Sequence, residues 1–225
     1  MRRPVVAIDG PAGSGKSTTA RAVAQALGYA HVDSGALYRA CTLVALEQFG
    51  PSEQWQPIPI VTAARAKRVT ARAERGVFEV LIAGRNAEPA IRSDAVNAQV
   101  SRVSAMPPVR EFVTALLRAV AVDGGVVMDG RDIGTVVFPD AEVKVFMVAD
   151  ADERARRRLS EQGRQTDRRS VEAEAGSLAA RDALDSGRVV APLVQAEGAV
   201  VIDTTKLSFE DQVAVVVQLA RNAGA

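Results

Sequence analysis

A glycine-rich segment near the start of the chain has the residue pattern of a phosphate-binding loop. It reads Gly10-Pro11-Ala12-Gly13-Ser14-Gly15-Lys16-Ser17-Thr18 and matches G-x-x-x-x-G-K-[ST] at every defined position. Glycines let the backbone curl so that successive N–H groups converge on phosphate oxygens. Lys16 can bridge the terminal phosphates as a point charge, and the Ser17 hydroxyl can bind Mg²⁺. An apolar run precedes the segment and a helical pattern follows it, so we expect it to bind the phosphates of a nucleoside triphosphate.

Phosphate-binding loops of this kind occur in GTPase switches, translocating motors and small-molecule kinases, and the rest of the sequence separates these classes. The GTPase motifs D-x-x-G and N-K-x-D are absent from the sequence. With 225 residues, no internal repeat and no coiled-coil pattern, the chain is unlike a motor. A small-molecule kinase remains.

The basic residues indicate which kind of acceptor such a kinase would use. A hydroxyl acceptor needs a carboxylate base, whereas a monophosphate is already anionic and needs arginines to neutralise and align it. The chain is rich in arginine and has one histidine, His31, which we interpret as structural. Of its 28 basic residues 24 are arginine, a bias that a genome-wide preference explains, so a single arginine carries little information. The arginine-rich segments nevertheless favour a phosphate acceptor over a sugar.

The elements that must position these residues follow from short apolar runs separated by helical patterns. The runs are Val5 to Ile8, Val126 to Met128, Val143 to Val148 and Ala199 to Ile202. Continuous Val- and Ile-rich runs without alternation are typical of strands that are buried on both faces of a parallel sheet. Helical patterns lie between them, including one that ends at Gly28, one over 109–122 and one from Phe209. The fold class is therefore predicted as α/β, a doubly wound parallel sheet.

Two segments depart from this alternation. Residues 68–92 read as short strands joined by turns, which predicts a small antiparallel insertion. Residues 150–170 are crowded with arginine and acidic side chains. We expect a single domain over 1–225, with a core of 1–60 and 105–225, an acceptor-binding insertion at about 61–104 and a helical lid at about 150–170.

Three further motifs carry a family resemblance. They are the heptapeptide Asp33-Ser34-Gly35-Ala36-Leu37-Tyr38-Arg39, the block D-G-R-D-I-G-T-V-V-F-P-D at 129–140, and Arg181-Asp182 followed by Asp185, Arg188 and Ala191-Pro192-Leu193. Together with the phosphate-binding loop they closely resemble bacterial cytidylate kinases, essentially from end to end. The resemblance implies a P-loop kinase that transfers phosphate from Mg·ATP to CMP and dCMP.

The resemblance also assigns roles within the acceptor site. It implies that Asp132 accepts from the cytosine amine, with Ser34, Arg110 and Arg188 around the base. A carboxylate suits the amine of cytosine and repels the carbonyl that replaces it in uracil. The sugar hydroxyls fall to Ser101, Arg181 and Asp185, and the acceptor phosphate to Arg39 and Arg131.

On the donor side, Asp129 is expected to support Mg²⁺ from the second coordination shell. The metal-binding hydroxyl is left open between Ser17 and Thr18, because this loop departs from many relatives here. Lid closure would bring Arg157 or Arg158 to the transferring group, and the sequence does not choose between them. Lys16 and Arg131 complete the expected catalytic set. Around Asp185 the sequence departs from the family pattern, because Leu184, Ser186 and Gly187 replace a stretch that is often more charged in relatives.

Two alternatives stay open at this point. The chain could prefer UMP or another monophosphate, or it could be a nucleotide-gated binding module that hydrolyses ATP slowly. The second is less favoured because a full set of acceptor residues accompanies the phosphate-binding loop.

The bulk properties limit the partners. A formal net charge of +1 gives no basic footprint for nucleic acid. No apolar stretch has the length of a membrane span, and the short run after Arg2-Arg3 is too short for a signal peptide. The lone cysteine, Cys41, has helical apolar neighbours and is predicted to be a buried structural thiol in a reducing compartment. We expect a cytoplasmic monomer that acts on small molecules.

Overall fold

A parallel sheet forms the centre of the computed structural model, which describes residues 3–74 and 76–225. Its five strands within these residues run in the order β2-β6-β1-β7-β8. They are β1 (Arg3–Asp9), β2 (Ala30–Asp33), β6 (Gly124–Gly130), β7 (Val143–Val148) and β8 (Val200–Asp203). Every printed pairing between them is parallel, which confirms the predicted α/β class.

Both faces of this sheet are covered, as the unbroken apolar runs predicted. Alternate side chains of β1 enter different clusters: Val5 and Ala7 belong to one and Val6 and Ile8 to the other. All four are essentially inaccessible to solvent. Because successive residues of a strand point to opposite faces, a strand in this position needs apolar residues at every position.

The helices that pack on the two faces of the sheet are α1 (Lys16–Leu27), α2 (Ser34–Phe49), α5 (Pro107–Val120) and α8 (Phe209–Asn222). Helices α6 (Ala151–Glu161) and α7 (Arg168–Ser186) pack against each other and against Ala12 of the phosphate-binding loop. Gly28 ends α1 in the left-handed conformation, φ 65°, as its position in the sequence predicted. Cys41 is buried in α2, where burial raises the pKa of its thiol to about 12. This confirms that the thiol is structural.

The predicted antiparallel insertion is present between α2 and α5. It contains α3 (Pro57–Ala66), a three-stranded sheet of β3 (Thr70–Glu74), β4 (Val77–Ile82) and β5 (Arg85–Asn86), and α4 (Asp94–Ser104). Both strand pairings are antiparallel. The boundary expected at residue 60 falls inside α3, so this helix joins the insertion to the core. The division into core, insertion and lid stays a prediction.

The segment expected to form the lid has one anchored part and one exposed part. Ala155 and Leu159 of α6 are fully buried in a cluster that also contains Ala12 of the phosphate-binding loop. The connection between α6 and α7, taken as residues 160–169 so that it includes the end of α6 and the start of α7, is exposed throughout. A lid movement in this region can therefore involve the connection without separating α6 from the core.

None of the helices within the described residues combines the length and the apolar character that a membrane span requires.

The packing of α5 in the hydrophobic cluster that contains Val5 and Ala7 gives a test of the core. Leu117 is fully buried there, so Leu117→Ala should lower the free energy of unfolding by about 2–5 kcal/mol through lost burial and the cavity that remains. The matched control is Leu184→Ala, because Leu184 is 66% exposed and its loss should change stability by less than about 0.5 kcal/mol. Urea unfolding followed by circular dichroism measures both, and equal losses would contradict the described core.

Candidate active site

The register between β1 and β6 brings the two main sequence motifs together. Ile8 lies beside Asp129 and Asp9 beside Gly130 in the parallel pairing, and β2 places Asp33 beside Asp129. The carboxyl ends of the strands therefore meet at one edge of the sheet. In open α/β sheets this edge, where helices leave toward both faces, is where ligands bind.

The phosphate-binding loop leaves β1 at this edge and ends where α1 begins. Gly13 and Gly15 have φ angles of 75° and 87°, which only glycine adopts easily. A Cβ on Gly10 would lie 2.2 Å from the Met147 carbonyl oxygen, so the loop starts against β7 with no room for a side chain. The loop thus has the tight backbone path that a phosphate cradle requires.

Lys16 is buried at the centre of this loop. Its Nζ donates to the Pro11 carbonyl at 3.0 Å. Burial, reinforced by the nearby charge of Arg131, lowers the pKa of Lys16 to about 7. An anion that enters the loop would favour the charged ammonium, so the site is electrostatically prepared for phosphate.

Asp129 links the phosphate-binding loop to β2. Its Oδ2 accepts from the Ser17 hydroxyl at 2.5 Å, and its Oδ1 is hydrogen-bonded to His31 Nε2 at 2.7 Å. Burial works to raise the pKa of Asp129, but the hydrogen bond with His31 and nearby positive charge outweigh it and hold that pKa below its usual value. The carboxylate therefore stays ionised beside the loop hydroxyl that could bind a metal.

His31 is a site residue whose position the sequence did not reveal. The residue lies in β2 and lines the same cavity as Asp129. The alternation along Ala30-His31-Val32-Asp33 places His31 and Asp33 on one face of the strand. In the sequence, this alternation beside the motif that begins at Asp33 was the pattern that could have placed His31 in the site.

A buried ion pair lies at the acceptor end of the cavity. Arg110 of α5 is paired with Asp132 through Nη2 and Oδ2, and both side chains are almost inaccessible to solvent. Arg110 also donates to the Ser104 carbonyl at 2.7 Å and lies over the Tyr38 ring at 5.4 Å. The second Asp132 oxygen has no described partner in the hydrogen bonds of the chain, which suits it to accept from a ligand.

A second carboxylate, Asp185 of α7, holds two arginines. It accepts from Arg131 Nε at 2.9 Å and from Arg188 through its other oxygen. One turn earlier on the same helix, Arg181 lines the cavity, where burial and the charge of Arg131 lower its pKa to about 10. Helix α7 thus contributes Arg181 to the cavity, and through Asp185 it holds Arg131 and Arg188 there. Burial and the charge of Arg131 disfavour the charged form of Arg181.

One cavity of about 300 Å³ contains most of the residues predicted from the sequence. The predicted residues that line it are Ala12, Gly13, Gly15, Lys16, Ser17, Thr18, Ser34, Arg39, Arg110, Asp129, Arg131, Asp132, Arg158, Arg181, Asp185 and Arg188. The predicted residues outside its lining are Gly10, Pro11, Ser14, Ser101 and Arg157. The phosphate-binding loop and the acceptor residues therefore share one continuous space.

Two of the outlying residues have specific partners elsewhere. The Ser101 carbonyl accepts from Ser104 Oγ at 3.0 Å, and it is Ser104 that lines the cavity and accepts from Arg188 at 3.2 Å. Arg157 donates to the Thr204 hydroxyl at 2.9 Å and to the Thr204 carbonyl at 2.7 Å. Of the two lid arginines, only Arg158 lines the cavity.

The insertion also contributes a residue that the sequence did not single out. Arg92 lines the cavity and pairs with Asp33 at 3.0 Å and with Glu88 at 2.9 Å. Arg39, its neighbour in the cavity lining, donates to Asn97 at 2.5 Å. The exposed Arg92 and the half-buried Arg39 are thus each held by a side chain of the insertion or of β2.

The comparisons with known proteins agree with this geometry. A family model described as cytidylate kinase matches residues 6–222. The chain belongs to the cytidylate kinase family. It is 47% identical over 214 residues to a cytidylate kinase of Limosilactobacillus fermentum, with 93% of each chain covered. It is 45% identical to that of Enterococcus faecalis, covering all of this chain and 98% of the relative, and 44% identical to that of Geobacillus sp. WCH70, covering 92% of each.

Membership of the cytidylate kinase family makes the chain a nucleoside monophosphate kinase and confirms the resemblance that the motifs indicated. The family match spans both the phosphate-binding loop and the insertion.

The contact between His31 and Asp129 can be tested through stability. His31→Leu removes one donor from a buried carboxylate and should lower the free energy of unfolding by about 1–3 kcal/mol. In an Asp129→Asn background the same substitution should have a smaller effect, because the charge that needs the donor is gone. Urea unfolding of the four proteins measures the difference, and an equal loss in both backgrounds would show that the pair is not coupled.

Proposed function

We propose that the chain transfers the γ-phosphoryl group of ATP to CMP and dCMP, giving ADP with CDP or dCDP. The observation that carries this proposal is the single cavity that joins a complete phosphate-binding loop to the buried Asp132–Arg110 pair. The relatives named cytidylate kinase support the same substrates.

At the donor end, the backbone of the loop and Lys16 bind the phosphates of ATP. The positive φ angles at Gly13 and Gly15 and the start of α1 aim N–H groups at an anion. Within the described residues no cluster of three or more His, Cys, Asp or Glu could hold a metal by itself. The Ser17 hydroxyl beside the ionised Asp129 carboxylate suits a magnesium ion bound together with ATP, which would neutralise charge on the transferring phosphate.

Of the two hydroxyls left open for that ion, those of Ser17 and Thr18, we assign Ser17. Its Oγ is within hydrogen-bond distance of the Asp129 carboxylate, which stays ionised beside it. Asp129 thus orients the hydroxyl from behind, as an acidic residue at this position of P-loop proteins can.

At the acceptor end, Asp132 selects the base. A carboxylate accepts from the cytosine amine, and with uracil it would face a carbonyl oxygen with no proton between them. Arg110 fixes the carboxylate from one side, and this leaves its other oxygen for the ligand. Ser34 and Arg188 complete the base pocket, and Arg181 and Asp185 contact the sugar, whereas Ser101 lies outside the cavity lining.

Catalysis in this site consists of alignment and charge neutralisation without a covalent intermediate. Arg39 and Arg131 hold the acceptor phosphate, whose oxygen is already anionic and needs no general base. Holding two polyanions side by side requires several guanidinium groups, and the cavity lining supplies Arg39, Arg131 and Arg181.

We assign the lid function to the exposed connection 160–169 and to Arg158. Arg158 faces the cavity, whereas Arg157 is held by Thr204. Closure of the connection over ATP would exclude water, while Arg158, which lines the cavity from the anchored helix α6, would contact the transferring phosphoryl group. The cytoplasmic location and the monomeric state expected from the sequence stay predictions.

The first test is the transfer reaction itself, with an activity panel and a loop variant. Coupled ADP release should be fast with CMP and dCMP and much slower with UMP, AMP and GMP. Lys16→Ala should lower kcat with CMP by at least about a hundredfold while the fold survives, since the bridging charge is lost. Slow ADP release that ignores the acceptor would favour the nucleotide-gated binding module, and fastest release with UMP would favour a UMP kinase.

Base selection has its own test. Asp132→Asn presents an amide that can accept or donate, so the ratio of kcat/KM for CMP over UMP should fall by about one to two decades, mainly through poorer use of CMP. Asp33→Asn is the matched control, because Asp33 lines the same cavity but pairs with Arg92. The control should keep the CMP/UMP ratio even where it lowers both values. An unchanged ratio in Asp132→Asn would remove Asp132 from base recognition.

The lid assignment predicts a change in proteolysis. Trypsin should cleave the exposed connection at Arg164, Arg168 or Arg169, and a bisubstrate analogue with Mg²⁺ should slow this cleavage. Cleavage at Lys67 and Arg68, in the exposed turn between α3 and β3, is the internal control and should not change to the same degree. Mass spectrometry of the fragments reads both rates, and equal cleavage at the connection with and without the analogue would contradict the lid.

A further inference from the structure

Asp9 is a buried carboxylate that lies next to the cavity without lining it. It ends β1, directly before the phosphate-binding loop, and is 3% exposed. Its two oxygens accept from two successive backbone amides: Oδ1 from Ile133 at 2.8 Å and Oδ2 from Gly134 at 2.7 Å. A residue of β1, the strand that leads into the phosphate-binding loop, thus binds the backbone of the 129–140 block.

Those two amides open an unusual helical turn. Residues Ile133–Val137 form a single π-helical turn, a feature that is often found at functional sites. The first N–H groups of any helical turn have no partner within the turn, and a side chain usually supplies one. Left without an acceptor, two buried N–H groups would be strongly unfavourable.

Asp132 occupies the position from which an aspartate would ordinarily supply that acceptor. It is the N-cap residue of the turn, yet its side chain makes no capping hydrogen bond. The carboxylate is paired with Arg110 in the acceptor pocket. Asp9, from a different strand, has taken over the capping role.

We propose that Asp9 is a positioning residue for base recognition: by capping the 133–137 turn in place of Asp132, it keeps the Asp132 carboxylate directed into the acceptor pocket. This inference rests on the proposed role of Asp132 in selecting cytosine.

The surroundings of Asp9 support this division of roles. A Cβ on Gly134 would lie 3.4 Å from Asp9 Oδ2 and 3.3 Å from the Ala196 side chain, so glycine at 134 lets the amide approach the carboxylate. Burial raises the pKa of Asp9 to about 6, the two amide hydrogen bonds oppose that rise, and the charge of Asp132 adds to it. The two carboxylates therefore repel one another, which favours the pocket-facing orientation of Asp132.

Loss of the Asp9 carboxylate should affect base recognition specifically. When Asp9 no longer accepts from both amides, the nearest residue in a capping position is Asp132 itself. Its carboxylate should turn away from Arg110 and toward the amide of Gly134, the second of the turn, which an N-cap side chain can reach. The enzyme would then lose selection of the base while the phosphate-binding loop and its helix stay in place.

Asp9→Asn tests this, because the amide keeps the shape of the side chain but offers only one acceptor. We expect the ratio of kcat/KM for CMP over UMP to fall about tenfold or more, with the KM for ATP changed by less than about twofold. In an Asp132→Asn background, Asp9→Asn should cause little further loss of the ratio, since its effect acts through Asp132.

Val6→Ala is the matched control for a merely structural role. Val6 is fully buried on the same strand and its truncation should destabilise the fold without altering the CMP/UMP ratio. A ratio that is unchanged in Asp9→Asn, or that changes equally in Asp9→Asn and Val6→Ala, overturns the proposal.

A crystal structure of Asp9→Ala provides a readout that does not depend on activity. Asp132 within hydrogen-bond distance of the amide of Gly134 or Thr135 supports the proposal, and Asp132 still paired with Arg110 overturns it. If the wild-type chain fails to phosphorylate CMP, the proposed function fails, and this structure still decides whether Asp9 directs Asp132. If the wild type is active and Asp132 does not move, the inference fails alone.

Discussion

The parallel pairing of β1 with β6 is the constraint on which the site depends. It sets Ile8 beside Asp129 and Asp9 beside Gly130, so two motifs that are distant in sequence leave the sheet at the same edge. One motif continues into the phosphate-binding loop and the other into the turn that carries Arg131 and Asp132. A shift of the register by one residue would reverse the faces of every side chain on β6 and separate Asp129 from Ser17. The apolar runs Val5 to Ile8 of β1 and Val126 to Met128 of β6 are buried in the two clusters and stabilise that pairing.

The electrostatics of the cavity follow from how its cations are partnered. Arg110 and Arg131 each have a buried carboxylate, in Asp132 and Asp185, so these side chains are fixed before any ligand arrives. Lys16 and Arg181 have lowered pKa values, of about 7 and about 10, chiefly because burial disfavours their charge. Phosphate groups placed beside them would raise both pKa values and stabilise the charged forms. The cavity thus combines fixed pairs that orient a ligand with cations that a polyanion stabilises.

The phosphate-binding loop, the parallel sheet and the antiparallel insertion could be predicted because each leaves a local pattern in the sequence. The strand predicted at Val143 to Val148 matches the observed element, and the helix predicted over 109–122 is found at Pro107–Val120. The fine geometry of the site could not be predicted in the same way. His31, Arg92 and Asp9 acquire their partners through strand register and the docking of the insertion, which no short segment encodes. Ser101 and Ser104 lie almost one helical turn apart on α4, and only the orientation of that helix decides that Ser104 lines the cavity.

The central claim is that one cavity holds the donor at the phosphate-binding loop and cytosine at Asp132. A crystal structure with a bisubstrate analogue, in which adenosine and cytidine are joined through five phosphates, tests it most directly in the presence of Mg²⁺. The account predicts phosphate oxygens at Lys16 and at the guanidinium groups of Arg39 and Arg131, with the cytosine amine on the free oxygen of Asp132. A cytidine end bound outside this cavity, or a cytosine ring with its amine away from Asp132, would contradict the account.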